Sequence, residues 1–409
     1  MSWGTVPLRR LITSNNRRNR PDLPLLSVVR DKGVIKRSFD KSDNHNIIPE
    51  DLSNYKVVSE GQFVINKMKA WQGSCGVSSY DGIVSPAYYV FDLKIDNPRF
   101  FNYAIRSRTY IDEFNRISSG IRVDQWDLSL LELKYLLFKL PSRDEQDQIV
   151  RFLDWKVSQI NRLINAKRRQ IGLLREQRQV IISNMLSTVS LNSGSIKFKR
   201  LVVGANTGVS ITREYWDEDG KLHLYTAGQI PLRTNYSSFP SELLTTQKDI
   251  LVARNGAGSV HLPIDGSVYT DHVIRFSLSS KIERNYLYYA LLVAMKKIEA
   301  EANVVSLKTL NKSDWERADI PYPQISEQNK IAEILNKRCS AIDTVIDTIN
   351  REIILFTEYR TRLISDVVTG KLDVRDIVVP EYVSVEEDSS SDGDDIDNES
   401  VDGDVEEIQ

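Results

Sequence analysis

The chain has 409 residues, 41% of them hydrophobic and 27% charged, which is enough apolar sequence for two or three cores in a water-soluble protein. Two cysteines, Cys75 and Cys339, exclude a disulfide scaffold or a Cys-rich zinc or iron–sulfur module, and four scattered histidines (His45, His223, His261 and His272) argue against a His-based metal site. The net charge of −2 hides a division: residues 381–409 hold 13 Asp/Glu and no Lys/Arg, leaving the preceding 380 residues at a net +11, so the body suggests a polyanionic partner, nucleic acid before membrane.

In chain order, residues 1–20 carry several arginines and no acid, as an organelle transit peptide would. Their pattern, Val6-Pro-Leu8-Arg9-Arg10-Leu11, returns inside the chain as Ile196-Lys-Phe198-Lys199-Arg200-Leu201, so they are expected to belong to a fold. No apolar segment follows that would serve as a secretory signal, and no run approaches the roughly 20 apolar residues of a membrane span. Residues 61–82, GQFVINKMKAWQGSCGVSSYDG, predict a strand, a basic residue (Lys67), a Gly/Ser-rich loop and an Asp-Gly turn. A Tyr-rich helical stretch follows around Tyr103.

From Pro141 the pattern changes period. PSRDEQDQIVRFLDWKVSQINRLINAKRRQIGLLREQRQVIIS recurs from Pro323 as PQISEQNKIAEILNKRCSAIDTVIDTINREIILFTEYRTRLIS, offset by 182 and without a gap. Gln146 then matches Gln328, Leu153 matches Leu335, Ile160 matches Ile342 and Arg178 matches Arg360. Leu153, Val157, Ile160, Ile164, Ile171 and Leu174 in the first copy, continuing to Ile181 and Met185, fall at spacings of four and three or their sum. Leu335, Cys339, Ile342, Ile346, Ile349, Ile353, Phe356, Leu363 and Val367 do the same in the second. This is a heptad seam on a long helix, interrupted by polar Lys167, Arg178 and Arg360, which can fix register. About 45 residues at ~1.5 Å each predict a helix of roughly 65 Å. A single apolar stripe needs a partner, and the two copies can pair with each other, antiparallel if a pseudo-twofold relates the halves. Glu145-Gln146 and Glu327-Gln328 are read as helix caps or scaffold contacts.

Residues 187–195 are a Ser/Asn/Gly linker. Beyond it, residues 247–266, QKDILVARNGAGSVHLPIDG, repeat the strand, basic residue (Arg254), glycine loop and Asp-Gly of the first half, and Tyr288-Tyr289 repeat the Tyr-rich helix. After the second long helix, Gly370 stands where a C′ glycine would stop it. The acidic end, free of aromatics after Tyr382, is expected to be disordered.

Catalytic motifs are incomplete. Asn255-Gly-Ala-Gly258 has two of the three glycines of a dinucleotide loop, with His261 where the third belongs, and reads better as a tight turn in a sheet. Thr369-Gly370-Lys371-Leu372 has Leu where a phosphate loop needs Ser or Thr. Asn97-Pro98-Arg99-Phe100 lacks the second proline of an amino-methyltransferase motif. Asp217, Glu218 and Asp219 lack the glycine and distal glutamate of a calcium loop. The expectation is a chain that is not itself an enzyme and holds no metal.

The duplicated Pro-x-x-x-Glu-Gln-x-x-Ile and long helix resemble the specificity subunit of type I restriction–modification systems (the HsdS family). So do the terminal Val368-Thr369-Gly370-Lys371-Leu372-Asp373-Val374-Arg375 and, in the first half, Leu25-Leu-Ser-Val28 with Asp81-Gly-Ile-Val-Ser85-Pro86-Ala-Tyr88. The resemblance covers about residues 1–378. It implies an α+β architecture: two pseudo-repeated α/β target recognition domains (residues 1–140 and 191–322) separated by two helical regions (141–190 and 323–378) that pair as an antiparallel coiled coil. The acidic tail, 379–409, lies outside the pattern. It further implies a non-catalytic subunit that reads a bipartite sequence in double-stranded DNA and holds two methyltransferase subunits, with restriction subunits joining them. S-adenosylmethionine, ATP and Mg belong to those partners, none to this chain, and the setting is the cytoplasm of a prokaryotic cell. Candidate DNA-reading residues are Lys67, Lys69, Trp71, Gln72 and Ser74 in the first half. In the second they are Arg254, Asn255 and Ser259, with Thr226 and Gln229 from the preceding loop. Arg and Lys suit guanine, and Asn and Gln suit adenine. The rival reading is a structural coiled-coil adaptor without specific DNA recognition.

Overall fold

The computed structural model describes residues 3–30, 32–37, 51–120, 126–254, 259–301 and 310–386. The chain divides into two units, residues 1–168 with 351–409 and residues 169–350, and each carries its own hydrophobic core.

In the first unit, strand Gly4–Pro7 pairs antiparallel with Leu137–Leu140, and a 3-10 turn, Leu8–Arg10, buries Leu8. An antiparallel four-stranded sheet follows in the order Ile12–Asn15, Tyr88–Leu93, Phe63–Asn66, Cys75–Val77. Helices Pro98–Ile105 and Arg108–Arg116 place Phe100, Phe101, Tyr110 and Phe114 in the core. Asn97 caps the first of these by accepting from the Arg99 and Phe100 amides, which is the local role of Asn97-Pro98-Arg99-Phe100.

The second unit repeats this plan. Ser195–Lys197 pairs with Asp319–Pro321, and the 3-10 turn Phe198–Arg200 buries Phe198. A four-stranded sheet runs Val202–Thr207, Val273–Leu278, Asp249–Ala253, Val260–His261. Helix Arg284–Glu301 covers it, with Tyr286, Leu287 and Leu291 fully buried. The unit differs in a three-stranded sheet, Leu232–Thr234, Leu222–Tyr225 and Val268–Tyr269, whose last pairing is parallel. The Asp-Gly pairs also differ. Asp265-Gly266 is a turn with Gly266 at φ +73°, whereas Gly82 opens strand Gly82–Val84, where an added Cβ would meet the Pro24 carbonyl at 2.5 Å.

The long helices are Arg143–Ser193 and Ile325–Val368. Within the first unit, Arg360 donates to Asn161 Oδ1 at 2.6 Å and Lys167 lies 2.6 Å from Glu352. Within the second, Arg178 meets Asp343 at 3.2 Å. Numbers rise on one helix as they fall on the other, so the pairing is antiparallel. The polar seam residues are explained: Arg178 and Arg360 are repeat equivalents, and they reach Asp343 and Asn161, which are also repeat equivalents. Of the seam, Leu153, Ile160, Ile164, Ile171, Leu335 and Ile346 are buried, while Leu174, Ile342, Ile353 and Phe356 are half-buried. After Arg178 the buried line moves by one residue, from the expected Ile181 and Met185 to Ile182, Leu186 and Val189. A 3.6-residue helix drifts against a 3.5-residue seam, and here the face turns into the core containing Phe198 and Ile250.

Both copies of Glu-Gln act as helix-entry devices. Ser142 and Glu145 form a reciprocal capping box. Gln146 and Gln328, each 1% exposed, donate back to the Pro141 and Pro323 carbonyls at 3.0 and 2.9 Å. The second helix stops at Gly370, φ +74°, in the left-handed conformation that favours glycine. The acidic segment does not begin as a disordered one. Ser158 donates to the Val383 carbonyl and accepts from the Val385 amide, while Asn161 and Asn165 donate to the Val385 and Glu386 carbonyls. The chain up to Glu386 is thus a strap hydrogen-bonded to the first long helix. Residues 387–409 lie outside the described residues. No helix among the described residues is long and apolar enough to cross a membrane.

Candidate nucleic-acid interface

Both candidate clusters sit on the same structural element. Phe63–Asn66 pairs with Cys75–Val77 in the register Ile65↔Cys75, so residues 67–74 connect two neighbouring antiparallel strands. Asp249–Ala253 pairs with Val260–His261 in the register Leu251↔His261, so residues 254–259 do the same in the second unit. A strand-to-strand connection at a sheet end projects side chains from a rigid base, as a reading loop requires.

In the first cluster, Lys67, Lys69, Trp71 and Gln72 are half-buried and Ser74 is fully buried. Lys67 Nζ lies 3.2 Å from Asp127, and the Lys67 carbonyl accepts from the Leu128 amide. The Trp71 ring packs on Trp126 with centroids 5.2 Å apart, and its indole N–H donates to the Met68 carbonyl. Trp71 is therefore a wall of the loop, held from behind. Ser74 sits beneath the loop, its hydroxyl without a partner among the described residues, and does not reach the surface. Gly73, at φ +96°, makes the turn, and an added Cβ would meet Ile111 at 2.8 Å.

In the second cluster, the Arg254 amide donates to the His272 carbonyl and the Arg254 carbonyl accepts from the Leu310 amide. Its backbone is fixed while its side chain is exposed. Gln229 is exposed at the tip of the neighbouring loop, beside Ile230 at 77% exposure. Thr226 is half-buried and accepts from the Gly228 amide, which makes it a turn former. Ser259 is 4% exposed and donates to the Ala227 carbonyl at 3.3 Å, so it bonds to protein. Asn255 lies outside the described residues, as does the rest of the Asn255-Gly-Ala-Gly258 turn. The structure thus brings Arg254 and Ser259 onto one loop and ties that loop to the one bearing Thr226 and Gln229.

Sequence reading overlooked Trp126 and Asp127, which close on the first loop from 55 and 60 residues away, and His261, which it weighed only as a metal ligand and as the residue in place of a third loop glycine. Burial lowers the His261 pKa, against a backbone hydrogen bond to Gly228 that raises it, so the ring is neutral near pH 7. No group of three His, Cys, Asp or Glu side chains among the described residues is placed to hold a metal. Asp217–Asp219 is a turn: the Asp217 carboxylate accepts from the Asp219 amide at 2.9 Å.

The two tyrosine-rich helices dock on the long helices alike. Tyr103 donates to Asp154 at 2.9 Å and Tyr289 to Asn336 at 2.8 Å, and Asp154 and Asn336 are repeat equivalents.

Residues 208–354 match the family model described as the type I restriction modification DNA specificity domain. A putative type I restriction enzyme MjaX specificity subunit from Methanocaldococcus jannaschii is 23% identical over 366 residues, covering 81% of this chain and 82% of that protein. The type I restriction enzyme MjaVIII specificity subunit of the same organism is 29% identical over 115 residues, covering 27% of this chain and 26% of the relative. A chain solved in work on complex assembly and conformational transition of the type I R-M system shares the fold, with a TM-score of 0.60 at 13% identity over 90% of this chain and 98% of that one.

Proposed function

We propose that the chain is a specificity subunit of a type I restriction–modification system and that its two halves each read one part of a split DNA target. In this reading residues 1–140 and 191–322 are the recognition domains, and residues 141–190 and 323–378 are the helical regions that hold two methyltransferase subunits, to which restriction subunits are added. The chemistry resides in those partners, with their S-adenosylmethionine, ATP and Mg, and this chain supplies sequence choice without a catalytic group. The complex works in the prokaryotic cytoplasm.

The observation that carries the reading is the match between the loops at residues 67–74 and 254–259. They are strand connections at equivalent places in a duplicated fold, and each bears cationic or amide side chains. Lys67, Lys69, Gln72, Gln229 and Arg254 contact bases or phosphates, with Trp71 supporting the first loop. Cationic contacts to phosphate supply affinity, and contacts to base edges supply choice.

Arg254→Ala tests this in the assembled methyltransferase complex. Loss of a base contact relaxes preference at one half-site by about 1–3 kcal/mol of discrimination and leaves the other half-site unchanged. Weakening that is equal over unrelated sequences, with a shallower salt dependence, makes Arg254 a phosphate contact.

A further inference from the structure

Ser259 and His261 flank Val260 at the start of the strand that follows the second candidate loop, and both are buried. The Ser259 hydroxyl has one hydrogen, which it gives to the Ala227 carbonyl at 3.3 Å. His261 Nε2 lies 2.9 Å from the same oxygen, with the donor set by the imidazole tautomer, and a backbone hydrogen bond joins the His261 ring to Gly228 of the same loop. The imidazole packs edge-on against Tyr225, centroids 5.3 Å apart, and the Tyr225 hydroxyl accepts from the Ile264 amide. Tyr225 is the last residue of the strand Leu222–Tyr225, from which the loop bearing Thr226 and Gln229 departs. That loop is folded on itself by the Gly228 amide donating to Thr226 Oγ1 at 3.2 Å.

Two loops that are separate in sequence are therefore fastened at one point. The fastening uses a side-chain pair on one loop and the backbone of the other, so the residues of the second loop can vary without losing it. Gln229, two residues beyond the Ala227 carbonyl, is exposed and makes no part of the fastening.

We propose that Ser259 and His261 are positioning residues for DNA reading: a buried latch that holds the loop carrying Gln229 in fixed register with the loop carrying Arg254, so that the two side chains address one half-site as a unit. The proposal rests on the specificity reading above. Neither latch residue touches DNA. Their effect is on which base is accepted, because a reading side chain displaced by about an ångström loses its bidentate geometry while phosphate contacts tolerate the shift.

The experiment uses the full chain assembled with its methyltransferase subunits and a duplex library randomised over the split target. Ser259→Ala and His261→Phe should each reduce base preference at one half-site about tenfold. The other half-site and the salt dependence of binding should be unchanged, and Ser259→Thr, which keeps the hydroxyl, should restore preference. A second measurement needs no variant: in the native chain the backbone amides of Ala227 and Gly228 should show NMR order parameters as high as those of the strand Leu222–Tyr225. Unchanged preference in Ser259→Ala, or order parameters at Ala227 and Gly228 typical of a free loop, overturns the latch. If Ser259→Ala does not fold, the order parameters decide. If the unaltered complex prefers no split sequence, the specificity reading itself fails.

Discussion

The two long helices carry the same motif, yet their outer faces are put to different use. On the first, Ser158, Asn161 and Asn165 bind the backbone of the strap at Val383, Val385 and Glu386. The repeat equivalents on the second are Ser340, Asp343 and Asp347, all exposed, and Asp343 is engaged by Arg178. The difference is chemical. A carboxylate cannot donate a hydrogen bond, so only the amide-bearing copy can hold carbonyl groups. Asn161 uses both ends of its amide, accepting from Arg360 through Oδ1 and donating to Val385 through Nδ2. Two Asp-to-Asn exchanges between otherwise equivalent helices thus distinguish a strapped helix from an open one.

The largest expected effect concerns the glutamines at the helix entries. Gln328 donates to Pro323 and accepts from the Glu283 amide at 2.8 Å, whereas the buried Gln146 Oε1 has no partner among the described residues. Gln328→Ala leaves a buried amide and a buried carbonyl unpaired and should cost the second unit about 2–3 kcal/mol, against about 1 kcal/mol for Gln146→Ala in the first. Amide hydrogen exchange read separately in each unit measures both, and equal costs would remove this asymmetry.

Next is the strap. Asn161→Asp with Asn165→Asp converts the first helix to the pattern of the second. It should loosen residues 383–386, seen as faster amide exchange there, at a cost of about 1–2 kcal/mol to the first unit because the two lost bonds are part-buried. The reciprocal pair, Asp343→Asn with Asp347→Asn, has no strap to capture among the described residues and should change stability by less. Strap protection that survives the first pair would show that the bonds from Ser158 and Arg162 to Val383 and from Gln148 to Val374 and Ile377 suffice.

The smallest effect is the most diagnostic of charge. Burial raises the Asp154 pKa, opposed by Arg99 at 2.7 Å and by the bonds from Tyr103 and Arg99. Because the folded value lies above the unfolded one, this group favours folding most at low pH. That contribution is lost as pH rises from the unfolded value of 3.8 through the raised folded value. Asp154→Asn copies Asn336, keeps an acceptor for Tyr103 and removes the titration. The stability difference between variant and parent should therefore favour the variant by a few tenths of a kcal/mol above this window and shrink below it. A difference independent of pH from 3 to 7 would contradict the assignment.

These comparisons also mark what could be read from the chain. The repeat was legible because heptad periodicity and the Pro/Glu-Gln entry are local patterns, and Arg178 and Arg360 stood out by breaking the seam. Their targets, Asn161 and Asp343, did not, since only an antiparallel register brings them together. The shift to Ile182, Leu186 and Val189 arises from the second unit's core, which no helical period encodes. The strap escaped notice for a related reason: its carbonyls are bound by Ser158, Asn161 and Asn165, and carbonyls carry no side-chain signature, so residues 379–386 read like the acidic stretch they introduce. In the candidate interface, the loops were legible from their glycines and basic residues. Which side chains face outward was not, because Ser74 is buried beneath its own loop and Ser259 is held by Ala227 and His261, which are distant or unremarkable in sequence.

The most direct test of the central claim is a genome-wide map of N6-methyladenine in the source cell with and without this gene. The account predicts that one split motif loses its methylation when the gene is removed and that Arg254→Ala alters only one of its halves. A methylome that does not change on removal would contradict it.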